Sequence, residues 1–227
     1  MKKSILNIGL LLAMSFAIVN FTSCSWDAPD RPNVIKVENI IGNTSNVVTA
    51  GIRGDDEFFG RFRVPFENNG FTLNLPRTLS DRLLFPLDAL FEEAEGVMIS
   101  DKDARIFMLF RELYGFDSNN RPFGEFRFSV RDERFWGETV WFYADRNVSI
   151  RGEIDEEKID VNLKRGWNRV YLIDELVDET YFYLTTTQRP ADANFQWHFS
   201  IRGGGLHTYP AETESKSLRN INSLFAR

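Results

Sequence analysis

The sequence has very little of the residues that most often bind metals. One cysteine, Cys24, and two histidines, His198 and His207, occur in 227 residues. His198 falls on the outward side of a predicted strand, and His207 follows a glycine-rich segment. The sequence pattern therefore gives no reason for the two imidazoles to meet at one metal ion. The stretches 53–57 ("RGDDE") and 115–120 ("GFDSNN") offer oxygen ligands, but neither has the spacing of a calcium loop. We therefore expect no metal and no cofactor.

Basic residues are fewer than acidic ones. The chain has 27 Lys and Arg against 33 Asp and Glu, a formal net charge of −6. Proteins bind nucleic acid by neutralising phosphates with clustered Lys and Arg, and no stretch of this chain concentrates them. We therefore expect no nucleic acid partner.

The sequence shows no arrangement of catalytic residues. The triple glycine at 203–205 is not followed by the helix and the Lys-Ser or Lys-Thr pair of a phosphate-binding loop. A pair of carboxylates can always be found among 33 acidic residues; Asp132 and Glu133 beside Trp136 are the pair that best suits a sugar. A charged loop at a strand end is the simpler interpretation of that pair. We therefore expect a protein that is not an enzyme.

Charge is absent from residues 5–23, which follow a short start containing Lys2 and Lys3. A basic start followed by an apolar run is typical of a secretory signal peptide. A transmembrane helix needs about 20 apolar residues, and this run is diluted by Asn, Gly, Ser and Thr. We therefore predict that residues 1–23 are a signal peptide. Its removal leaves 25 basic against 33 acidic residues, a charge of −8.

Cys24 lies where cleavage is expected, and an odd cysteine in an exported protein needs an explanation. The stretch from Phe21 to Cys24 resembles a lipobox, at which bacterial lipoprotein signal peptidase cuts and the new N-terminal cysteine carries lipid. The resemblance implies a thioether to diacylglycerol, and two or three acyl chains hold a protein firmly on a bilayer. A buried free thiol is the alternative.

Residues 24–33 are predicted to tether the domain to the membrane. Asp27, Pro29, Asp30 and Pro32 make this segment polar and short. In Bacteroidetes lipoproteins, acidic residues after the lipidated cysteine are associated with export to the cell surface, and this stretch resembles that signal loosely. We expect lipid anchoring in the outer membrane. Periplasmic and surface orientations stay open.

Residues 34–206 are predicted to form a single all-β domain, an antiparallel β-sandwich, with a flattened β-barrel as the alternative. Short segments of alternating apolar and polar residues, rich in β-branched and aromatic types, indicate strands. Turn residues separate many of them. Many short strands without intervening helical patterns are typical of sandwiches and barrels. The predicted strands are 33–41, 46–53, 58–66, 71–75, 104–116, 124–133, 139–144, 147–154, 158–166, 168–173, 180–186 and 194–201.

Two segments depart from the strand pattern. Residues 78–96 contain leucines at helical spacing interrupted by Pro86, which predicts one or two helical turns in a connection. Residues 207–227 form a polar C-terminal tail, for which a short amphipathic helix and a frayed terminus are both open.

Part of the domain resembles a loosely defined set of small Bacteroidetes outer-membrane lipoproteins of unknown function. The stretches that carry the resemblance are "FTLNLP" (71–76), "ISDKDARI" (99–106), "GFDSNNRPFGEFRF" (115–128), "VWFYADRNVSIRG" (140–152), "NLKRGWNRVY" (162–171) and "FQWHF" (195–199). The resemblance implies a lipid-anchored all-β protein. It implies no catalytic residue.

Aromatic residues supply the candidate ligand site. Trp136, Trp141 and Tyr143 lie within eight residues. If Val140 and Phe142 face the core, then Trp141 and Tyr143 lie on the other side of the strand, and an exposed apolar patch usually has a use. The competing interpretation is that both faces of this strand are buried.

Two functions follow as hypotheses. The first is a lipid-anchored envelope protein that acts as a non-enzymatic binding or structural accessory, with an envelope protein as partner. The second is a glycan-binding module, or an accessory to carbohydrate-active enzymes at the cell surface, that uses the three aromatic residues. An enzyme acting on carbohydrates or esters would need a cleft with converging carboxylates, or a serine with a base, which the sequence does not show.

The anchor gives the first prediction. Globomycin blocks lipoprotein signal peptidase, so treated cells should accumulate the unprocessed precursor. Immunoblotting of cell extracts measures this as a shift to larger size. An unchanged mature size in treated cells would contradict lipidation at Cys24.

Overall fold

The computed structural model describes residues 33–52, 62–91, 95–109, 113–154, 156–177, 180–191 and 193–201. The predicted signal peptide, Cys24, the tether up to residue 32 and the predicted tail lie outside these ranges, as do the stretches 53–57 and 203–205. All of the described residues fall within one compact unit. They form fifteen strands, one short α-helix and a 3-10 turn.

The chain is all-β, as predicted, and the strands alternate with turns from beginning to end. In order they are β1 (Val34–Val37), β2 (Thr49–Ile52), β3 (Arg63–Pro65), β4 (Phe71–Asn74), β5 (Phe85–Pro86), β6 (Met98–Ile99), β7 (Arg105–Leu109), β8 (Leu113–Phe116), β9 (Pro122–Arg131), β10 (Phe135–Ala144), β11 (Val148–Ile154), β12 (Glu157–Leu163), β13 (Gly166–Val177), β14 (Thr180–Thr186) and β15 (Gln196–Ile201).

The predicted break at residues 78–96 is confirmed. A 3-10 turn covers Asp81–Leu83, the two-residue strand β5 ends at Pro86, and the helix α1 covers Leu87–Leu90. Proline cannot donate a backbone hydrogen bond inside a helix but is well suited to the position just before one. The helix is a single turn and anchors itself by the fully buried side chain of Leu87.

Two sheets make up the fold. β1 and β4 pair as a small antiparallel sheet. The large sheet runs β3-β2-β8-β9-β10-β13-β14-β12-β11-β6, with β15 paired to β9 and β7 paired to both β10 and β5. This path is open at both ends across the described strands, so the sandwich forms and the flattened barrel does not.

One pairing makes the large sheet mixed. β12 and β13 follow each other along the chain, joined by the sequence "KRGWN", in which Gly166 has a positive φ (+98°) of the kind found in tight hairpin turns. The two strands do not pair as a hairpin, however, because β14 lies between them. β14 is antiparallel to β13 and therefore parallel to β12. The expectation of a purely antiparallel sheet is wrong at this one place.

The predicted strand 104–116 divides into β7 and β8, which serve different neighbours. β7 pairs with the second half of β10, from Trp141 to Ala144, whereas β9 pairs with its first half, from Trp136 to Glu138. β8 pairs instead with β2 and β9. One continuous strand cannot pair with β10 and also lie between β2 and β9. The single apolar run in the sequence therefore forms two strands.

The centre of the large sheet is buried on both faces. Along β10, Val140, Phe142 and Ala144 point into one apolar cluster, which also includes residues of β11, β12 and β13. Trp141 and Tyr143 point the opposite way into a second cluster, shared with the small sheet. Successive side chains on a strand alternate between faces, and here each face meets a packed layer.

Two tryptophans connect the small sheet to the large one. The indole N–H of Trp197 on β15 donates to the backbone carbonyl of Lys36 at 3.0 Å, and that of Trp167 on β13 donates to the carbonyl of Pro76 at 2.8 Å. Both rings are buried. Each therefore contributes apolar area and also satisfies a carbonyl of the opposite layer, which an aliphatic side chain cannot do.

This contact gives the second prediction. Trp197→Phe retains an aromatic ring but leaves the Lys36 carbonyl without its indole donor. Losing a hydrogen bond of this kind costs about 0.5–1.5 kcal/mol, and the smaller ring also buries less apolar area, so the free energy of unfolding should fall by about that amount or more in urea titrations. Trp136→Phe, at a partly buried position, serves as the control and should cost less. Equal losses for both variants would contradict the proposed role of Trp197.

Candidate functional site

Trp141 and Tyr143 are core residues. Each side chain is only 4% exposed. Trp141 stacks on Trp197 with ring centroids 6.0 Å apart, and Tyr143 meets Trp167 edge-on at 5.6 Å. The prediction of an open aromatic face at these two positions is wrong, because the small sheet covers that side of β10. The competing interpretation, burial of both faces, is the one that the structure supports.

Trp136 occupies a different place, near the start of β10. It lies opposite Asp174 of β13, which lies opposite Tyr183 of β14, which in turn pairs with Glu157 of β12. Residues directly opposite each other on paired strands share a face. Trp136 and Tyr183 are both partly buried and lie on this one face with an acidic residue between them. Trp136 is thus the one predicted site residue that a ligand can reach.

β14 adds two exposed aromatic side chains beside this row. Tyr181 is 57% exposed and Phe182 is 55% exposed. The ring of Tyr181 stacks with that of Tyr183 at a centroid distance of 6.3 Å and an interplanar angle of 16°. Phe182 points to the opposite face of the strand, across from Glu175. We call Trp136, Tyr181, Phe182 and Tyr183 the aromatic end.

The aromatic end is open because β14 extends beyond β12. Pairing of these two strands begins at Glu157 and Tyr183, so Thr180, Tyr181 and Phe182 lie ahead of the first residue of β12. Within the described part of the chain, these three residues pair only with β13. A strand with one neighbour presents backbone donors and acceptors on its other side. The site therefore combines exposed rings with an exposed strand edge.

Acidic residues surround the aromatic end. The end of β11, the start of β12 and the end of β13 lie at this end of the sheet, because Glu153 pairs with Lys158, Glu157 with Tyr183 and Glu175 with Phe182. Glu157 and Asp174 are buried, and Lys158 and Arg134 are exposed basic residues at the same end. Glu153, Glu156 and Glu175 are exposed. Charges of one sign around a surface raise the local concentration of ions of the opposite sign.

The face of the sheet that carries Trp136 and Tyr183 becomes more polar toward the aromatic end. One row further in, Glu138 of β10 lies opposite Leu172, which lies opposite Thr185 of β14. Glu138, Thr185 and Glu157 are buried, and the Thr185 hydroxyl donates to Glu157 Oε1 at 2.5 Å. Further along the strands this face is mainly apolar, with Val140 opposite Val170, although the buried Asn168 lies opposite Phe142. These polar groups are buried behind the aromatic end and do not form part of its surface.

The carboxylate beside Trp136 is a turn residue. Asp132 Oδ1 accepts the backbone N–H groups of Arg134 at 2.9 Å and Phe135 at 2.8 Å. These bonds close the tight connection between β9 and β10. A carboxylate that holds its own loop in this way does not need a sugar substrate to explain it, so the charged-loop interpretation of Asp132 agrees with the geometry.

The calcium candidate at 115–120 is also explained by its own loop. Asp117 accepts the backbone N–H groups of Asn119 and Arg121, both at 2.9 Å, and pairs with the Arg121 guanidinium at 3.0 Å. These hydrogen bonds and the nearby positive charge lower the pKa of Asp117. Its oxygens serve the β8–β9 turn. Among the residues that the structure describes, no group of three or more His, Cys, Asp or Glu side chains is arranged to hold a metal ion.

His198 lies on β15 opposite Arg127 of β9. Its side chain is partly buried, and burial lowers its pKa below the usual 6.5, while a hydrogen bond with the Ser129 backbone acts in the opposite direction. The imidazole is therefore neutral near pH 7. His207, the other histidine, lies outside the described residues.

Tyr181 and Phe182 are not among the residues that the sequence singles out, although a signal for them exists. Tyr181 to Tyr183 are three consecutive aromatic residues in a predicted strand, and alternation forces them onto both faces. An acidic turn precedes them directly. Aromatic residues on both faces of a strand indicate either a central strand with both faces buried or a strand end that other elements leave exposed. The start of β14 is the second case.

Comparison of the chain with protein-family models, with curated proteins and with solved structures found no match. In the described ranges, no helix has both the length and the apolar character needed to cross a membrane.

His198 gives the third prediction. The unfolded chain has a histidine pKa of about 6.5, and burial lowers the folded value. Between the two values the unfolded state binds more protons, so stability is full above about pH 6.5 and falls as the pH decreases. His198→Gln should reduce this fall when urea unfolding is measured between about pH 8 and pH 5.5. An unchanged pH dependence in the variant would show that the buried imidazole does not carry the effect.

Proposed function

We propose that this protein is a lipid-anchored, non-enzymatic binding protein of the bacterial outer membrane, and that its aromatic end contacts the partner. The observation that carries the proposal is the exposure of Tyr181 and Phe182 on the two faces of one strand edge, with Trp136 and Tyr183 on the same face as Tyr181. Large exposed apolar groups that lie together on a surface commonly mark an interaction site.

The site is firmly supported by the sheet behind it. β13, which holds β14 in place, pairs along ten residues with β10, and β10 is buried on both faces. Aromatic side chains with few rotatable bonds, held on a rigid strand, lose little conformational entropy when a partner binds. The geometry therefore favours recognition by a preformed surface.

The lipid anchor at Cys24 belongs to the same proposal and is supported by the sequence alone. An uncharged apolar run, small residues before the cysteine and a short polar tether after it are the features behind it. A domain moored at its N-terminus can present its loops to soluble or envelope-bound partners without a membrane-spanning segment. Protease treatment of intact cells would determine whether it faces outward.

Site-specific photocrosslinking tests the proposed contact surface and gives the fourth prediction. A photoreactive phenylalanine analogue placed at Tyr181 or Phe182 in living cells should give a discrete higher-mass adduct after irradiation. Phe85, which is 53% exposed on β5, is the matched control position and should give none. Absence of an adduct at Tyr181 and Phe182, or equal adducts at all three positions, would contradict the proposal.

A glycan-binding module is the second candidate function. The observation that favours it is the face shared by Trp136, Tyr183 and Tyr181, because sugar rings pack on aromatic side chains. Trp141 and Tyr143 no longer belong to this hypothesis, since both are buried.

The glycan hypothesis gives the fifth prediction. Tryptophans 141, 167 and 197 are buried, so a sugar at the aromatic end should change mainly the fluorescence of Trp136. Titration with a panel of polysaccharides should then quench the wild-type protein, and Trp136→Phe should remove the response. A flat titration with every polysaccharide would rule this candidate out.

A further inference from the structure

We infer that the aromatic end binds an extended, basic segment of a partner protein, which adds to the free edge of β14 and places Lys or Arg side chains among the rings and carboxylates. This inference rests on the proposed function and adds the chemistry of the partner. Three features of the described residues carry it: the charge around the site, the pairing of aromatic rings with carboxylates, and the strand edge.

The excess of acidic side chains around the aromatic end favours a positively charged partner. Five exposed carboxylates lie at this end of the sheet: Glu153, Glu156 and Glu175, with Asp132 and Glu133 in the turn before β10. Three exposed basic residues lie there too: Lys158, Arg131 opposite Trp136, and Arg134, whose Nε donates to the Leu176 carbonyl, so the described exposed charge is negative by two. A basic partner is drawn to such a surface and approaches it faster than a neutral one.

The aromatic rings complement that charge. A Lys ammonium or Arg guanidinium is attracted to the face of a tyrosine or tryptophan ring. The exposed Tyr181 stacks on the partly buried Tyr183, and Phe182 offers an exposed ring on the other side of the same strand. Glu175 lies directly across from Phe182, so a cation over that ring also meets a carboxylate.

The strand edge favours a partner segment in an extended conformation. Thr180, Tyr181 and Phe182 pair with β13 and lie ahead of the first residue of β12. An extended peptide can bond to such an edge through its backbone while its alternate side chains reach the two faces of the sheet. Since aromatic rings lie on both faces of β14 here, both sets of side chains find apolar surface.

A protein partner fits these features better than the alternatives. An anionic lipid surface would be repelled by the exposed carboxylates. A neutral glycan can use a carboxylate as a hydrogen-bond acceptor but draws no benefit from an excess of negative charge. A basic strand uses the charge, the rings and the backbone edge together.

The test measures binding of a fluorescein-labelled peptide of about a dozen residues that alternates lysine with threonine and valine. Full-length protein in neutral detergent is titrated into the peptide, and fluorescence anisotropy gives the Kd. Two further peptides carry glutamine or glutamate in place of lysine. We expect binding of the lysine peptide alone, weakened at least tenfold between about 0.02 M and 0.3 M salt because screening shortens the reach of exposed charges.

Variants localise the binding. Tyr181→Ala should weaken it by about three- to fivefold, as expected for an exposed cation–aromatic contact, and Glu153→Gln with Glu175→Gln should weaken it by tenfold or more. Phe85→Ala is the matched aromatic control, and Glu38→Gln with Glu67→Gln removes the same charge from exposed positions elsewhere. The control variants should bind as the wild type does. All of these positions are exposed, and equal urea midpoints verify that each variant folds.

The outcomes separate this inference from the proposed function. Tight binding of the lysine peptide that depends on Tyr181 and on the two carboxylates supports both. Equal binding of the lysine and glutamine peptides, or equal loss in the control variants, overturns the inference. If the glutamine peptide or a polysaccharide binds and Tyr181→Ala abolishes that binding, the inference fails while the aromatic end remains a binding site. If Tyr181→Ala changes no binding and no photocrosslink, the proposed function fails as well.

Discussion

Burial of β10 on both faces is the constraint on which the rest of the structure depends. A strand with one face in water can alternate apolar and polar residues, but this one carries Trp141 and Tyr143 on one side and Val140 and Phe142 on the other. Each side must then be covered by a separate layer. The small sheet covers one, and residues of β11, β12 and α1 cover the other. The chain's high content of large apolar side chains serves these two cores.

The same constraint explains why the aromatic end lies where it does. Packed side chains cover both faces of the middle of β10 and β13. The pairing of β12 with β14, however, begins only at Tyr183. Beyond that point β14 pairs only with β13 among the described residues, while β13 still pairs with β10 as far as Glu175, and aromatic residues lie on both faces of β14. Glu138, Glu157 and Thr185 are buried close to this boundary, where the Thr185 hydroxyl donates to Glu157.

Features of this structure that depend on local sequence can be predicted from it, whereas features that depend on contacts between distant residues cannot. Alternation along β9 and β15 predicts both strands and their inward faces, because it depends only on local period. The position of β14 between β12 and β13 has no local signal, since the "KRGWN" turn fits a hairpin equally well. For the same reason Trp141 and Tyr143 are predicted as surface candidates. Whether a strand face is covered depends on distant residues such as Lys36 and Pro76, whose carbonyls meet the indoles of the opposite layer.

The acidic residues around the aromatic end also have a purely protective explanation. An exposed strand edge rich in aromatic residues tends to pair with another copy of itself, and flanking charges of one sign prevent this. Protection and recognition are compatible here, because both arise from the same charge. Glu153, Glu156 and Glu175 repel the identical edge of a second copy and attract an edge of opposite charge. A negative rim therefore keeps the free edge from pairing with itself while leaving it able to pair with a basic strand, and this selectivity requires no further structural element.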